Sequence, residues 1–168
     1  MKTKSEKPFR LCVGIALINS ENKIFVGKRI DLSQGISKEI KDPQRFWQMP
    51  QGGVDKNENF FQAAKRELEE ETGVKSVKLI KEIDGWLEYD LPDNLSNKIW
   101  NGKYRGQKQK WFIMKFTGNN DEINIKTVNP EFSDWKWIEF SKLQSVVVYF
   151  KTHIYKRIEQ DLNSLNLI

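Results

Sequence analysis

Residues 11–19 (LCVGIALIN) form a near-continuous apolar run, the pattern of a strand buried on both sides. Ser20, Glu21 and Asn22 then mark a turn, and residues 23–29 (KIFVGKR) supply a hairpin partner. Residues 30–46 are a long polar connection, the kind that is functional or mobile; whether residues 37–41 make a helical turn is left open. Pro50 with Gly52 and Gly53 predicts a tight strand-to-loop transition, and glycine there allows backbone to approach a metal or phosphate closely. A helix follows. Asn59 is a suitable N-cap with Gln62 three residues on, as in a capping box, and Gly73 suits the left-handed position past its end. On that helix Phe61, Ala64 and Leu68 form an apolar stripe.

Residues 76–84 and 85–91 read as two strands, with Pro92 ending the second. Residues 94–110 carry five basic residues and no acid, with Trp100 and Tyr104 set among Lys98, Lys103 and Arg105. Cations beside aromatic rings suit a nucleic-acid chain, which offers phosphates and bases together; a solvated basic loop reads the same way. Residues 109–117 predict a strand, 121–126 a short one, and 130–132 a turn. Residues 134–140 alternate aromatic and charged side chains, as a half-buried strand does. Ser141 with Gln144 resembles a further helix start. Phe150, Ile154, Ile158 and Leu162 recur every four residues, predicting a final amphipathic helix packed on the sheet. Strands around a central helix, closed by another helix, give an α/β class: a three-layer α/β/α sandwich with a mixed sheet.

The length of 168 residues favours one domain, here residues 8–162, with a flexible tail at 1–7 and a short end at 163–168. With 38% hydrophobic and 30% charged residues the chain fits a globular protein with a real core. No apolar run approaches the roughly 18 residues of a transmembrane helix, and no apolar core follows the basic start as in a secretory signal. Cys12 is the single cysteine. It rules out an internal disulfide and suits a reducing cytoplasm. His153, the single histidine, cannot build a histidine-based metal or nucleophile site. A net charge of +5 survives the acidic helix, so cations dominate elsewhere and an anionic partner is plausible.

Glu67, Glu70 and Glu71 share one stripe of the helix. Like charges at that spacing destabilise a helix by about a few tenths of a kcal/mol per pair. A hard divalent cation would turn the repulsion into a site; a solvated acidic face is the other reading. The preceding Pro50–Gly52 turn and Arg66 inside the cluster favour the site.

Residues 52–74 read GGVDKNENFFQAAKRELEEETGV. This resembles the Nudix box at every defined position: Gly52, Glu58, Arg66, Glu67, Glu70, Glu71 and Gly73, with apolar Leu68 and Val74. The resemblance implies the Nudix fold and hydrolysis of a nucleoside diphosphate linked to another moiety, with bound magnesium, or manganese or zinc in its place. Three more segments, WQMPQGGVD (47–55), YRGQKQKWF (104–112) and PEFSDWKW (130–137), are similar to the branch of bacterial RNA pyrophosphohydrolases, relatives of which are described as dinucleoside polyphosphate hydrolases. By that resemblance Gly52, Glu67, Glu70, Glu71 and Glu131 hold the metals. Glu70 is the first choice of general base and Glu131 the second. Arg66 holds a carboxylate in place, and Glu58 fixes the loop–helix junction. Arg10, Arg29, Gln107, Phe150 and Lys151 meet substrate, Phe150 by stacking on a base and Lys151 through a phosphate. The long 30–46 link and Phe46, where the branch has a small polar residue, depart from the pattern. The expected substrates are 5′-triphosphorylated or diphosphorylated RNA, or dinucleoside polyphosphates, handled by a monomer in the cytoplasm with no membrane contact. A Nudix-shaped binding module without catalysis is the contrasting class, and an intact set of repelling carboxylates argues against it.

Overall fold

A computed structural model describes residues 2–30 and 42–167; the helical turn considered at 37–41 lies outside them. Strand β1 (Phe9–Ile18) is the centre of one mixed sheet. It runs parallel to β7 (Gly106–Phe116) from Phe9 opposite Gly106 to Ile18 opposite Lys115. The hairpin partner β2 (Ile24–Arg29) pairs antiparallel with β1, then with β3 (Trp47–Gln48) and β8 (Phe132–Ile138). The short β4 (Gln51–Gly53) lies against β1 with Gly52 opposite Val13. Strands β5 (Val77–Glu82) and β6 (Leu87–Asp90) both pair antiparallel with β7.

The apolar run of β1 is continuous because both its faces are covered. Val13, Ile15 and Leu17 point to one side, where α1 (Phe60–Thr72) packs Ala63, Ala64 and Leu68 against Phe25 and Phe112. Ala16 and Ile18 point to the other, where α4 (Thr152–Asn163) contributes Ile154, Tyr155, Ile158 and Leu162. Two helical layers around a mixed sheet are the predicted α/β/α sandwich. The helices α2 (Asp93–Ser96) and α3 (Leu143–Val146) are single turns that close loops.

Helix α1 starts where its cap chemistry says. The Asn59 side chain accepts from the N–H groups of Phe61 and Gln62, and Gly73 ends it at φ 75° with its N–H on Glu69 C=O. Among the described residues Gln62 returns no bond to Asn59, so the capping box is half made. Three expectations are corrected. Strand β7 begins at Gly106, three residues before the predicted start, because β1 supplies partners from Phe9 onward. Residues 121–126 form no strand; Asn119 caps a 3-10 turn at Asn120–Glu122, and Ile123 and Ile125 pack on the α1 side without a ladder. Phe150 lies in a 3-10 turn, Tyr149–Lys151, ahead of α4 and not on it, so the four-residue rhythm begins with Ile154.

Candidate active site

Arg66 gathers the loop and the helix into one unit. Its Nε and Nη2 reach the two carboxylate oxygens of Glu58 at 2.8 and 2.9 Å, its Nη2 also donates to Gly53 C=O at 2.9 Å, and its Nη1 reaches Glu67 at 2.9 Å and Glu70 at 3.1 Å. Glu58 in turn accepts from the N–H of Asp55 at 2.9 Å. These bonds hold the Glu58 carboxyl down at a pKa of about 2, mainly through Arg66. Arg66 thus hydrogen-bonds to three carboxylates, and Glu58 bridges the loop N–H of Asp55 and Arg66 of the helix.

The carboxylate of Glu67 lies directly over the backbone of Gly52, where a Cβ would occupy its place. Glu71 is buried beneath it, with the N–H of Gln51 as a distant donor at 3.4 Å. Burial raises the Glu71 pKa well above the ordinary carboxylate value, and the charges of Glu67 and Glu131 add to it. Glu67 is raised too, first by burial and then by Glu70 and Glu131, with Arg66 offsetting part. Glu131 stands just before β8, held by the N–H of Ile30 donating to its C=O at 2.9 Å.

These donors are hard oxygens, and their shared electrostatic deficit is a positive charge. Among the described residues no three His, Cys, Asp or Glu side chains are drawn together closely enough to count as a formed metal cluster. The charges of Glu67 and Glu131 work against Glu71, and Arg66 offsets only part of the burden on Glu67. A glycine cradle beneath one carboxylate and a buried, charge-starved second one fit a divalent cation of the magnesium type.

Beside them opens a cavity of about 400 Å³. It brings together Arg10, Arg29, Gly52, Glu67, Glu71, Gln107, Glu131, Phe150 and Lys151 from the predicted set. Arg66 and Glu70 are not on its wall. They line a neighbouring groove formed with residues 126–129, and Glu67, Glu71 and Glu131 border both spaces. The carboxylates are therefore a ridge between the cavity and the groove, with Glu70 on the far slope, its side chain 57% exposed.

The cavity also contains Gln51 and Tyr89, which the sequence did not single out, and Trp100, which it placed in the basic segment. Trp100 is in the left-handed region at φ 53°, ψ 37°, a conformation that costs an ordinary residue about 1–2 kcal/mol. It places the indole over the Arg10 guanidinium, 5.6 Å away, and edge-on to Tyr104. Among the described residues neither Arg10 nor Arg29 has an acidic ion-pair partner, so both charges face the cavity. Lys151, 3% exposed, lies over the Tyr89 ring at 5.1 Å. Burial holds the Tyr89 hydroxyl far above its usual pKa, which keeps it neutral beside these cations. Gln51 was visible as the neighbour of Gly52. Tyr89 carried no signal, and Trp100 was visible only as an aromatic among the cations of residues 94–110.

Cations and carboxylates thus line one cavity of an α/β/α sandwich whose outer helix α1 carries Glu67, Glu70 and Glu71. The NUDIX domain family model matches residues 8–158, and the chain belongs to the Nudix hydrolase family. It is 52% identical over 162 residues to the RNA pyrophosphohydrolase of Pelagibacter ubique (strain HTCC1062), covering 96% of each chain. It is 45% identical over 170 residues to the RNA pyrophosphohydrolase of Bradyrhizobium sp. (strain ORS 278), covering 98% of each. In fold it is similar to a C. elegans Ap4A hydrolase, with a TM-score of 0.60 and 16% identity over 92% of this chain and 99% of that one. That likeness speaks for the fold alone.

Proposed function

We propose that this chain is a divalent-metal-dependent RNA 5′-pyrophosphohydrolase, which removes pyrophosphate from the 5′-triphosphate end of RNA and so promotes mRNA decay, with magnesium as the working ion. The observation that carries the reading is that Arg10, Arg29 and Lys151 line one cavity together with Glu67, Glu71 and Glu131. The near-full-length relatives named RNA pyrophosphohydrolase support it.

Gly52, Glu67, Glu70, Glu71 and Glu131 would hold the metal. Bound there, a divalent cation neutralises polyphosphate oxygens and lowers the pKa of a water. The rest is positioning, which is most of what phosphoanhydride cleavage asks of a protein. Arg10, Arg29 and Lys151 bind the phosphates, and Gln107 donates to one of them. Phe150, packed near Tyr89 with ring centroids 5.7 Å apart, is half-buried at the cavity and stacks on the first base. Glu70 accepts the proton of the attacking water as pyrophosphate leaves, with Glu131 the alternative base. Arg66 fixes the direction of both Glu67 and Glu70.

The test is turnover of 5′-triphosphorylated RNA with magnesium, by the wild type and by Glu70→Gln. Pyrophosphate, or successive phosphates, should be released, and the variant should be slower by about 10²-fold or more with unchanged melting. No release by the wild type overturns the reading. Near-normal turnover by the variant removes Glu70 as the base.

A further inference from the structure

The segment 106–112 contains a second pattern. Along β7 the side chains alternate, which puts Gln107, Gln109 and Trp111 on one face, at 2%, 1% and 1% exposure. Three buried polar side chains in a row on a central strand need partners, and they find them in one another and in Gln51.

The indole N–H of Trp111 can only donate. It donates to Gln109 Oε1 at 2.9 Å, so the Gln109 amide has its oxygen toward Trp111 and its NH2 away. That NH2 meets Gln107 Oε1 at 2.7 Å and Gln51 Oε1 at 3.2 Å. Gln51 Nε2 adds a second donor to Gln107 Oε1 at 3.3 Å. Both lone pairs of that oxygen are now taken, so Gln107 has only its NH2 to offer. Among the described residues that nitrogen has no partner, nor is it sealed in, since the single buried polar atom lacking a partner is Thr127 Oγ1; Gln107 borders the cavity. The head of the chain cannot turn. The Trp111 ring fills the space over Gly14, where any Cβ would collide with it, and Tyr155 meets it edge-on at 6.2 Å. Reversing any amide in the chain would set N–H against N–H and leave buried groups unpaired.

We propose that Trp111, Gln109 and Gln51 are positioning residues that lock the amide of Gln107 with its NH2 toward the cavity, so that this wall offers a phosphate oxygen a fixed donor and no carbonyl. The proposal rests on the reading of the cavity as a phosphate site. It explains the Q-x-Q-x-W spacing as one chain of amides with a single direction. A glutamine free to flip would present its carbonyl to an anion part of the time; a locked one is preorganised.

Gln109→Glu reverses the lock. The introduced carboxylate still accepts from Trp111 but has no N–H to give, so Gln107 turns its NH2 inward and its carbonyl to the cavity. KM for 5′-triphosphorylated RNA should rise about tenfold or more, with kcat changed by no more than about threefold. Trp111→Phe removes the donor that sets the direction while adding no charge, and should raise KM in the same sense but less. NMR reads the direction without turnover. In the full chain labelled with 15N-glutamine, inorganic triphosphate should shift the side-chain NH2 resonances of Gln107 in the wild type and leave them in place in Gln109→Glu, whose Trp111 Nε1–H resonance persists as the sign of an intact fold. Stationary Gln107 resonances in the wild type, or an unchanged KM in both variants, overturn the proposal. Moving resonances in a protein that does not turn over RNA would instead keep the lock and retract the RNA reading.

Discussion

Replacing Gly52 by alanine puts a methyl group where the carboxylate of Glu67 now lies. Its Cβ would come within the 3.0 Å that real Cβ atoms keep from both carboxylate oxygens of Glu67. To recover an ordinary contact the carboxylate has to retreat by more than about 1 Å. Glu67 is a flexible side chain, so the retreat is feasible and should cost no more than about 1 kcal/mol of stability. The chemistry is less forgiving: a displacement of about 1 Å in a positioned group can lower turnover by about 10²-fold. The retreat also shifts Glu67 relative to Arg66, now 2.9 Å away, and relative to Glu71 in the ridge. Steady-state turnover of 5′-triphosphorylated RNA should fall about 10²-fold in Gly52→Ala, and the magnesium concentration giving half-maximal rate should rise, while the melting temperature moves by only a few degrees. Turnover within about threefold of wild type, at an unchanged magnesium midpoint, would refute the claim that the Gly52 cradle places a metal ligand.

Arg66→Ala should destabilise the fold by about 1–3 kcal/mol in urea unfolding, because the partly buried Glu67 loses its cation; saturating magnesium should recover part of this, and a loss untouched by magnesium would separate Arg66 from the metal site. In the basic segment Lys98 and Lys103 are exposed, whereas Arg105 is committed to Asp90 at 2.6 Å and to the Phe9 ring. Replacing both lysines by alanine should weaken use of RNA more at low salt than at high, reducing the salt slope by about 1–2; an equal loss at all salt concentrations would speak against an electrostatic role. Burial pushes the Cys12 thiol up from 9.0 to about 11, with Arg10 opposing. The native state thus keeps the proton that the unfolded chain releases, and stability is lost as pH rises between those values, by up to about 2–3 kcal/mol. In Cys12→Ala that part of the pH dependence should vanish; an identical profile would show that the thiol does not contribute.

Helix α1 was legible because two independent signals agree on it: Asn59 and Gly73 fix its ends, and Ala64 with Leu68 fix its buried face. Its carboxylates were legible because Glu67, Glu70 and Glu71, three and four residues apart, share one stripe of the helix. Strand β7 was read three residues short because its first inward positions are Gln107 and Gln109. Inward polar side chains hide the alternation that an apolar strand displays, and only the partners supplied by Gln51 and Trp111 make them tolerable. Residues 121–126 misled in the opposite way. Ile123 and Ile125 alternate and are partly buried, but burial without a neighbouring strand makes no ladder. Phe150 kept the rhythm of α4 by coincidence while standing on the turn before it, which frees it to face the cavity. That Glu70 borders only the groove while Glu67 borders both spaces depends on where the 126–129 segment lies, a long-range fact that one helix cannot encode.

The central claim is tested most directly by measuring kcat/KM with magnesium for 5′-triphosphorylated RNA and for diadenosine tetraphosphate at matched concentrations. The account predicts the higher value for RNA, with pyrophosphate or successive phosphates released. A higher value for the dinucleotide, yielding ATP and AMP, would contradict it and return the basic segment to a solvated loop.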